Sequence, residues 1–484
     1  MKNSSPASSF SRRDILKTIL YSAPLTLFSP GGLFAQGRIK PLFPPRVPGE
    51  GDLLRVAHVG ISNRGRDVFK TISQMEGKKL TYVAFAEVNP ALPDPGFNSK
   101  SKEPSKYADV PRFTDYRKML EDMHGEIDAL VICTPDHSHF AIAMHAMLLG
   151  KHVFVEKPLA NTVLQCRLLK RAAEETGVVT QMGNQGHSGG GTLQFLEWVK
   201  KGLVSDVARI DAWMTSSRRW HGWKIDDYPT DPLPKGFDWD MWLNRVPFRP
   251  YSIKLNPGNW RSWFDFGNGA LGDWGAHILD GVMVGLKLGM PYEISTKLIG
   301  PNKFIFPQGS VITFKFKARD GMPPVELRWF DGRDNHPPTP PDYDAKMGNV
   351  GIFIYSKDFV QQGRSHGAPY RVVPNAKWKE FAPSLTQVKP SGRNHWQSFI
   401  DACRGTDRTT SPFQVSAELS ELLCLGCIGQ RLGGTLAYDA EKMEFPGNPE
   451  ATKLLHGLPA RPGWESYDSF QASKSGPTPG YPQA

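Results

Sequence analysis

Lys157 stands at the end of an apolar, β-branched run, His152–Val155, that breaks off at Glu156, Lys157 and Pro158. Such a run suits a strand buried on both faces, and the proline biases the residue before it toward extended geometry. The amine therefore leaves at the carboxyl edge of a sheet, where open α/β sheets bind ligands. Much later, Asp273 and His277 are spaced i, i+4, so in a helix that starts near Asp273 they share one face of its first turn. A carboxylate near an imidazole raises its basicity and fixes its orientation, which suits proton transfer at an alcohol. Each feature also has a plainer reading: a strand-end lysine that meets solvent, and an aspartate cap beside a packed histidine. Other stretches bear on the choice.

The run Leu53–Gly60 leads directly into Gly60-Ile-Ser62-Asn63-Arg64-Gly65, a G-x-S-x-x-G form of the dinucleotide fingerprint at a strand-to-helix turn. Backbone amides of such a turn can hold a pyrophosphate; Ser62 stands where the second glycine is usual. The second strand ends in Glu87, near the position whose acid takes the adenosine ribose hydroxyls. A carboxylate there repels a 2′-phosphate and favours NAD over NADP, although Arg64 and Arg66 could still reach a phosphate. A third strand ends in Thr134-Pro135-Asp136-His137-Ser138-His139, which brings polar groups and two imidazoles to a helix N-terminus, with Asp136 also readable as a cap. Thr134, Pro135, His137, His139, Glu156 and Lys157 thus join the turn residues as cofactor-binding candidates.

The elements that must position these groups follow a regular rhythm. Strand patterns at Leu53–Gly60, Thr81–Val88, Asp128–Thr134, His152–Glu156 and Val178–Met182 alternate with helical patterns ending at Gly77 and Gly150 and at Thr176. That is the pattern of a doubly wound parallel sheet, an N-terminal Rossmann domain over 52–183. Beyond Gly183 comes a helix, Thr192–Lys201, and then strands in which Ile312, Phe314 and Phe316 alternate with Thr313, Lys315 and Lys317. An α+β domain with an open-faced, predominantly antiparallel sheet is predicted over 184–445, with helices at about 391–403 and 414–432 packing back, and a tail over 446–484. The fold class is therefore α/β with an α+β second domain.

The chain has 484 residues and a net charge of +10, but its basic residues are dispersed and form no long run, which argues against a nucleic-acid partner. Ser11-Arg12-Arg13-Asp14-Ile15-Leu16-Lys17 precedes an apolar run, Thr18–Phe28, too short to span a bilayer. Residues 1–35 read as a twin-arginine export signal, which implies that machinery as a partner and the periplasm as destination, and 36–51 as a proline-rich linker. Five cysteines imply no disulfide framework, and Cys424 and Cys427 lie within an apolar helix where buried packing outweighs metal binding. Eight of the thirteen tryptophans fall between Trp213 and Trp274. Their flat faces suit sugar C–H faces, and they could equally pack a long loop onto the sheet; a mixture is expected.

In order, the export signal, G-x-S-x-x-G, the strand-end acid, Thr134-Pro135-Asp136-His137, Glu156-Lys157-Pro158, Gln181-Met182-Gly183-Asn184-Gln185 and Gly272-Asp273-x-x-x-His277 resemble the Gfo/Idh/MocA oxidoreductases, relatives of glucose-fructose oxidoreductase and inositol 2-dehydrogenase. The resemblance implies a homo-oligomer through the second sheet and a Lys157–Pro158 bond that is often cis. It gives Lys157 a role in catalysis and positioning, and Asp273 and His277 the reacting hydroxyl, with His277 the general base. It brings Asn184 and Gln185 near the nicotinamide and suggests His187 for the substrate, for which Trp260 and Arg261, at the head of the stretch that ends in His277, are further candidates. The expected activity is hydride transfer between NAD(P), whether tightly bound or exchangeable, and a secondary hydroxyl of a sugar, glycoside or cyclitol. Two alternatives stay open: a redox-neutral glycoside lyase or hydrolase that uses bound NAD transiently, and a non-catalytic sugar or nucleotide sensor.

Overall fold

The computed structural model describes residues 39–92, 97–98, 103–216, 223–256, 258–386 and 392–464. The export signal lies outside them. The strand patterns of the first half become β1 (Leu54–Val59), β2 (Leu80–Ala86), β3 (Arg112–Phe113), β4 (Ala129–Ile132), β5 (His152–Val155) and β6 (Thr180–Met182). They form one sheet in the order β3-β2-β1-β4-β5-β6, with every neighbouring pair parallel. The chain runs outward from β1 to β2 and then crosses back to β4 on its other side, so a crevice opens at the carboxyl ends of β1 and β4. Residues in β4 and β5 are buried throughout, as expected of central strands covered on both faces.

The second sheet has eight strands: β7 (Arg209–Met214), β8 (Glu293–Ile299), β9 (Gly309–Phe316), β10 (Val325–Gly332), β11 (Val350–Tyr355), β12 (Val360–Gly363), β13 (Arg371–Val373) and β14 (Gly434–Ala437). Their order is β13-β12-β11-β7-β10-β9-β8-β14, antiparallel except for the β7–β10 pair. Ile312, Phe314 and Phe316 of β9 are buried while Val311, Thr313 and Lys315 are only partly covered, so the alternation seen in the sequence places one face on the core. The other face is not open along its whole length. Trp213, Phe330, Phe353 and Val373 form a cluster there, with Tyr343 and Met347 packed over it.

Two stretches expected as linker or tail are docked instead. Ile39 is fully buried, the Leu42 amide donates to the Leu148 carbonyl at 2.7 Å, and Arg46 pairs with Asp128 at 2.7 Å. At the other end, a helix over Pro449–His456 buries Ala451 and Leu455. Residues 39–51 stay irregular, as their prolines and glycines imply, but a few apolar and charged side chains with matching surfaces fix them in place.

Two helices hold the halves together. The helix His395–Cys403 places Phe399, Ile400 and Cys403 in one core with Leu54, Val56 and Phe154 of the first sheet. The long helix Phe413–Leu432 packs between helix Val163–Thr176 and the second sheet. Their contact carries a buried ion pair: Arg167 Nε donates to Glu421 Oε2 at 3.0 Å, and the Tyr438 hydroxyl donates to the same carboxylate at 3.0 Å. Removing one partner of such a pair strands a charge without solvent. Glu421→Ala is therefore expected to lower stability by roughly 3–5 kcal/mol in urea unfolding, whereas the double variant Arg167→Met/Glu421→Leu should recover most of that loss.

Candidate functional site

The Gly60–Gly65 turn depends on close backbone approach at both of its glycines. Gly60 has φ +80°, and a Cβ on it would lie 2.7 Å from the Cys133 carbonyl oxygen; a Cβ on Gly65 would lie 1.8 Å from the Gly60 oxygen. No side chain fits at either position, so the first helix starts hard against the end of β1. That helix, Arg64–Ile72, has Asn63 at its N-cap with φ 47° and no side-chain cap, so no side chain closes its N-terminus. Ser62, Asn63 and Arg64 line a cavity of about 810 Å³ that runs from Glu87 past Thr134 and Pro135 to Lys157, Asp273 and His277. Glu87 receives the Ile61 and Asn89 amides, each at 3.2 Å, and burial pushes its carboxyl up.

These features fit a dinucleotide: a tight glycine turn, uncapped helix amides for a pyrophosphate, and a strand-end acid for a ribose. Arg64 is committed within the wall, with Nε donating to Glu156 at 2.9 Å and Nη2 to Gln185 at 3.3 Å. Glu156 and Gln185 thus line the cavity as partners of Arg64.

At the far end, the Lys157–Pro158 bond is cis and the amine turns across to the second domain. Lys157 Nζ donates to Asp273 twice, to Oδ1 and to the main-chain carbonyl, both at 2.8 Å. Arg261 Nε lies 3.6 Å from the same Oδ1, and its guanidinium sits 4.1 Å over the Trp260 ring. Asp273 lies in a π-helical turn, Leu271–Gly275, rather than at the start of an α-helix; such turns recur at functional sites. The spacing therefore brings Asp273 and His277 into one cavity, but the carboxylate serves Lys157, while His277 Nδ1 is enclosed with no hydrogen-bond partner among the described residues. Burial, helped by Lys157, lowers the His277 pKa well below that of a free imidazole.

Five candidates fall outside the cavity wall: Gly65, packed against the Gly60 carbonyl, and four side chains. The ring nitrogens of His137 lie 2.7 Å from the Trp242 carbonyl and 3.3 Å from that of Phe266, and those of His139 lie 2.8 Å from the carbonyls of Pro158 and Thr134. Both are buried clamps whose ring nitrogens are spent on main-chain carbonyls rather than on the crevice that Asp136 faces. His187 is fully buried, with Nδ1 2.8 Å from Asp280 behind the wall. The Asn184 amide is buried without a partner among the described residues, and its neighbour Gln185 takes the cavity side.

Residues that the sequence left unmarked also line the site: Asn244, Asn256, Asn259 and His366. The tryptophans divide as expected, with Trp242, Trp260 and Trp274 on the cavity and Trp213 and Trp263 wholly buried. Only the density of tryptophan between Trp213 and Trp274 hinted at this wall, and nothing near position 366 did.

Residues 54–184 match the family described as "Oxidoreductase family, NAD-binding Rossmann fold", and residues 193–298 match its C-terminal alpha/beta domain. The chain belongs to the Gfo/Idh/MocA oxidoreductases. Among relatives of this Gfo/Idh/MocA chain is a protein named glycosyl hydrolase family 109 protein from Shewanella pealeana, 29% identical over 44% of this chain and 48% of its own length. Another is an alpha-N-acetylgalactosaminidase from Shewanella oneidensis, 29% identical over 35% of this chain and 36% of its own. The chain thus matches less than half the length of these curated relatives. Its fold is shared with the WlbA dehydrogenase of Bordetella pertussis, solved with NADH and UDP-GlcNAcA, at TM-score 0.54 and 14% identity over 81% of this chain and 99% of the other. An NAD-binding protein from Listeria innocua has TM-score 0.52 at 15% identity over 80% and 97%.

Asp136 lines the cavity beside these groups, and its Oδ2 accepts the Asn268 amide at 3.2 Å. Burial pushes its carboxyl up to about 7, against the pull of Arg261 and Lys157. The native carboxyl then keeps a proton that the unfolded chain releases near its ordinary value of about 3.9, so this group costs stability as pH rises between the two. Asp136→Asn should stabilise the ligand-free protein by a margin that grows from pH 4 to pH 7 and reaches at most about 4 kcal/mol, measured by urea unfolding across that range.

Proposed function

We propose that this protein is an exported NAD(P)-dependent oxidoreductase acting on a secondary hydroxyl of a sugar, glycoside or cyclitol. The observation that carries the reading is the meeting of Lys157, Asp273 and His277 at one end of the cavity whose other end is the Gly60–Gly65 turn. Bound nicotinamide supplies a hydride acceptor. Two of the three Lys157 donors are spent on Asp273, which leaves one for a substrate oxygen on which negative charge develops. His277, kept neutral by burial, accepts the hydroxyl proton. Indole faces at Trp242, Trp260 and Trp274, with amides at Asn244, Asn256 and Asn259, supply the flat surfaces and hydrogen-bonding groups that suit a polyhydroxylated ring.

Glu87 supports NAD over NADP, since a second negative group beside it would be repelled and Arg64 is already paired with Glu156. The twin-arginine stretch at Arg12 and Arg13 supports export to the periplasm with a cofactor loaded beforehand. A redox-neutral glycosidase reading is favoured by two observations, the glycosyl hydrolase names of the relatives and the second carboxyl at Asp136.

Denaturing protein purified without added nucleotide should release NAD close to one per chain, identified by mass spectrometry. With a panel of sugars and glycosides, a net change in nicotinamide absorbance marks a dehydrogenase, and product formation without it marks the redox-neutral enzyme. Lys157→Ala and His277→Ala should each lower kcat by roughly 10²–10⁴-fold. Unchanged turnover in both variants overturns the mechanism. Because the base is needed neutral and its pKa is depressed, the acid limb of kcat/KM should fall below pH ~6.5, the value of a free imidazole.

A further inference from the structure

His366 comes from the second domain, on the loop between β12 and β13, far in sequence from every other residue of the site. Its ring lies on that of His277 with centroids 3.8 Å apart and planes inclined by 22°. Its amide donates to the His277 carbonyl at 3.1 Å, and Trp274 meets its ring edge-on at 5.7 Å. The backbone here is unusual for a residue with a side chain: φ is 59° at His366, followed by 71° at Gly367.

The loop is seated by close backbone approach to the segment after β6. A Cβ on Gly186 would lie 2.6 Å from the His366 carbonyl carbon, and one on Gly191 would lie 2.3 Å from the Ala368 oxygen. The Gly191 amide donates to the Gly367 carbonyl at 3.0 Å. A left-handed, non-glycine residue held by contacts on both sides of its loop is the kind of conformation that surrounding structure must over-determine. Here the outcome is a ring laid over an imidazole whose Nδ1 is enclosed and unpartnered among the described residues.

We propose that His366 is a positioning residue of the site: its ring covers one face of His277, keeps water from it and fixes the plane in which His277 accepts a proton. The proposal rests on His277 as the base. The groups that act on His277 are Lys157 and Arg64, which disfavour its charged form along with His366 itself, and Asp273, which favours it. Removing the covering ring relieves desolvation and one of these repulsions, so both effects raise the pKa of His277.

The test compares His366→Ala with His366→Phe, which keeps the cover and removes both nitrogens. NMR titration of imidazole-labelled protein, with the His277 signal among the thirteen histidines assigned by its loss in His277→Asn, needs no substrate. The alanine variant should titrate His277 about one pH unit or more higher, and the phenylalanine variant should stay near the parent. On a sugar that the parent turns over, His366→Ala should lower kcat by ~10²-fold with KM little changed, while His366→Phe keeps most of the activity. Should the alanine variant fail to fold, His366→Asn takes its place. An unmoved His277 titration, or a phenylalanine variant as damaged in kcat as the alanine one, overturns the proposal. A parent that turns over no sugar removes the activity reading alone, and the titration then decides whether His366 covers His277.

Discussion

The ion pair between Lys157 and Asp273 is the contact on which the site depends, because it joins the end of a central strand in the first sheet to a π-turn in the second domain. Both side chains are little exposed, at 13% and 12%, and neither charge is well solvated. Two such groups stay ionised because they face each other, and separating the domains even slightly would leave each of them uncompensated. The pair thus sets a tolerance for the whole interface. Arg261 adds a second cation to the same carboxylate, so the cluster carries more positive than negative charge unless Asp136 ionises.

That tolerance is met by packing far from the cavity. The helix Phe413–Leu432 lies between the two sheets, and its Glu421 is neutralised by Arg167 of the Rossmann domain in a second buried pair. The helix His395–Cys403 is late in sequence but completes the first sheet's core. The halves are therefore interleaved, and the crevice between them has walls held from both sides. A cavity that takes a dinucleotide at one end and a polar ring at the other needs such rigidity, since a displacement of an ångström at the reacting centre is costly.

His277 and Asp136, two titratable groups in the cavity, are held away from their ordinary protonation range. Burial lowers the pKa of His277 and raises that of Asp136 to about 7. Shifts of opposite sense on an acid and a base in one cavity are the arrangement expected where protons are moved. By contrast His137, His139 and His187, equally buried, spend their ring nitrogens on carbonyls or a carboxylate and belong to the scaffold.

The sequence by itself determined the alternation of strands and helices, the parallel first sheet, the glycine turn and the three residues Lys157, Asp273 and His277. All of these follow from local rules: β-branched runs, glycines where no Cβ fits, and polar residues at strand ends. Tertiary structure alone decided how those residues are used. Spacing suggested that Asp273 orients His277, but the π-turn and the approach of β5 gave the carboxylate to Lys157. The twin imidazoles of the Thr134–His139 stretch looked alike along the chain, yet neither faces the cavity, whereas Asp136 beside them does. His366 was invisible because nothing near it in sequence carries chemistry; its place over His277 arises from a loop brought across by the second sheet and seated on glycines 180 residues earlier. Local pattern specifies which elements form and which side chains they offer, but the pairing of side chains across elements is fixed only when long-range packing chooses among the partners that each could take.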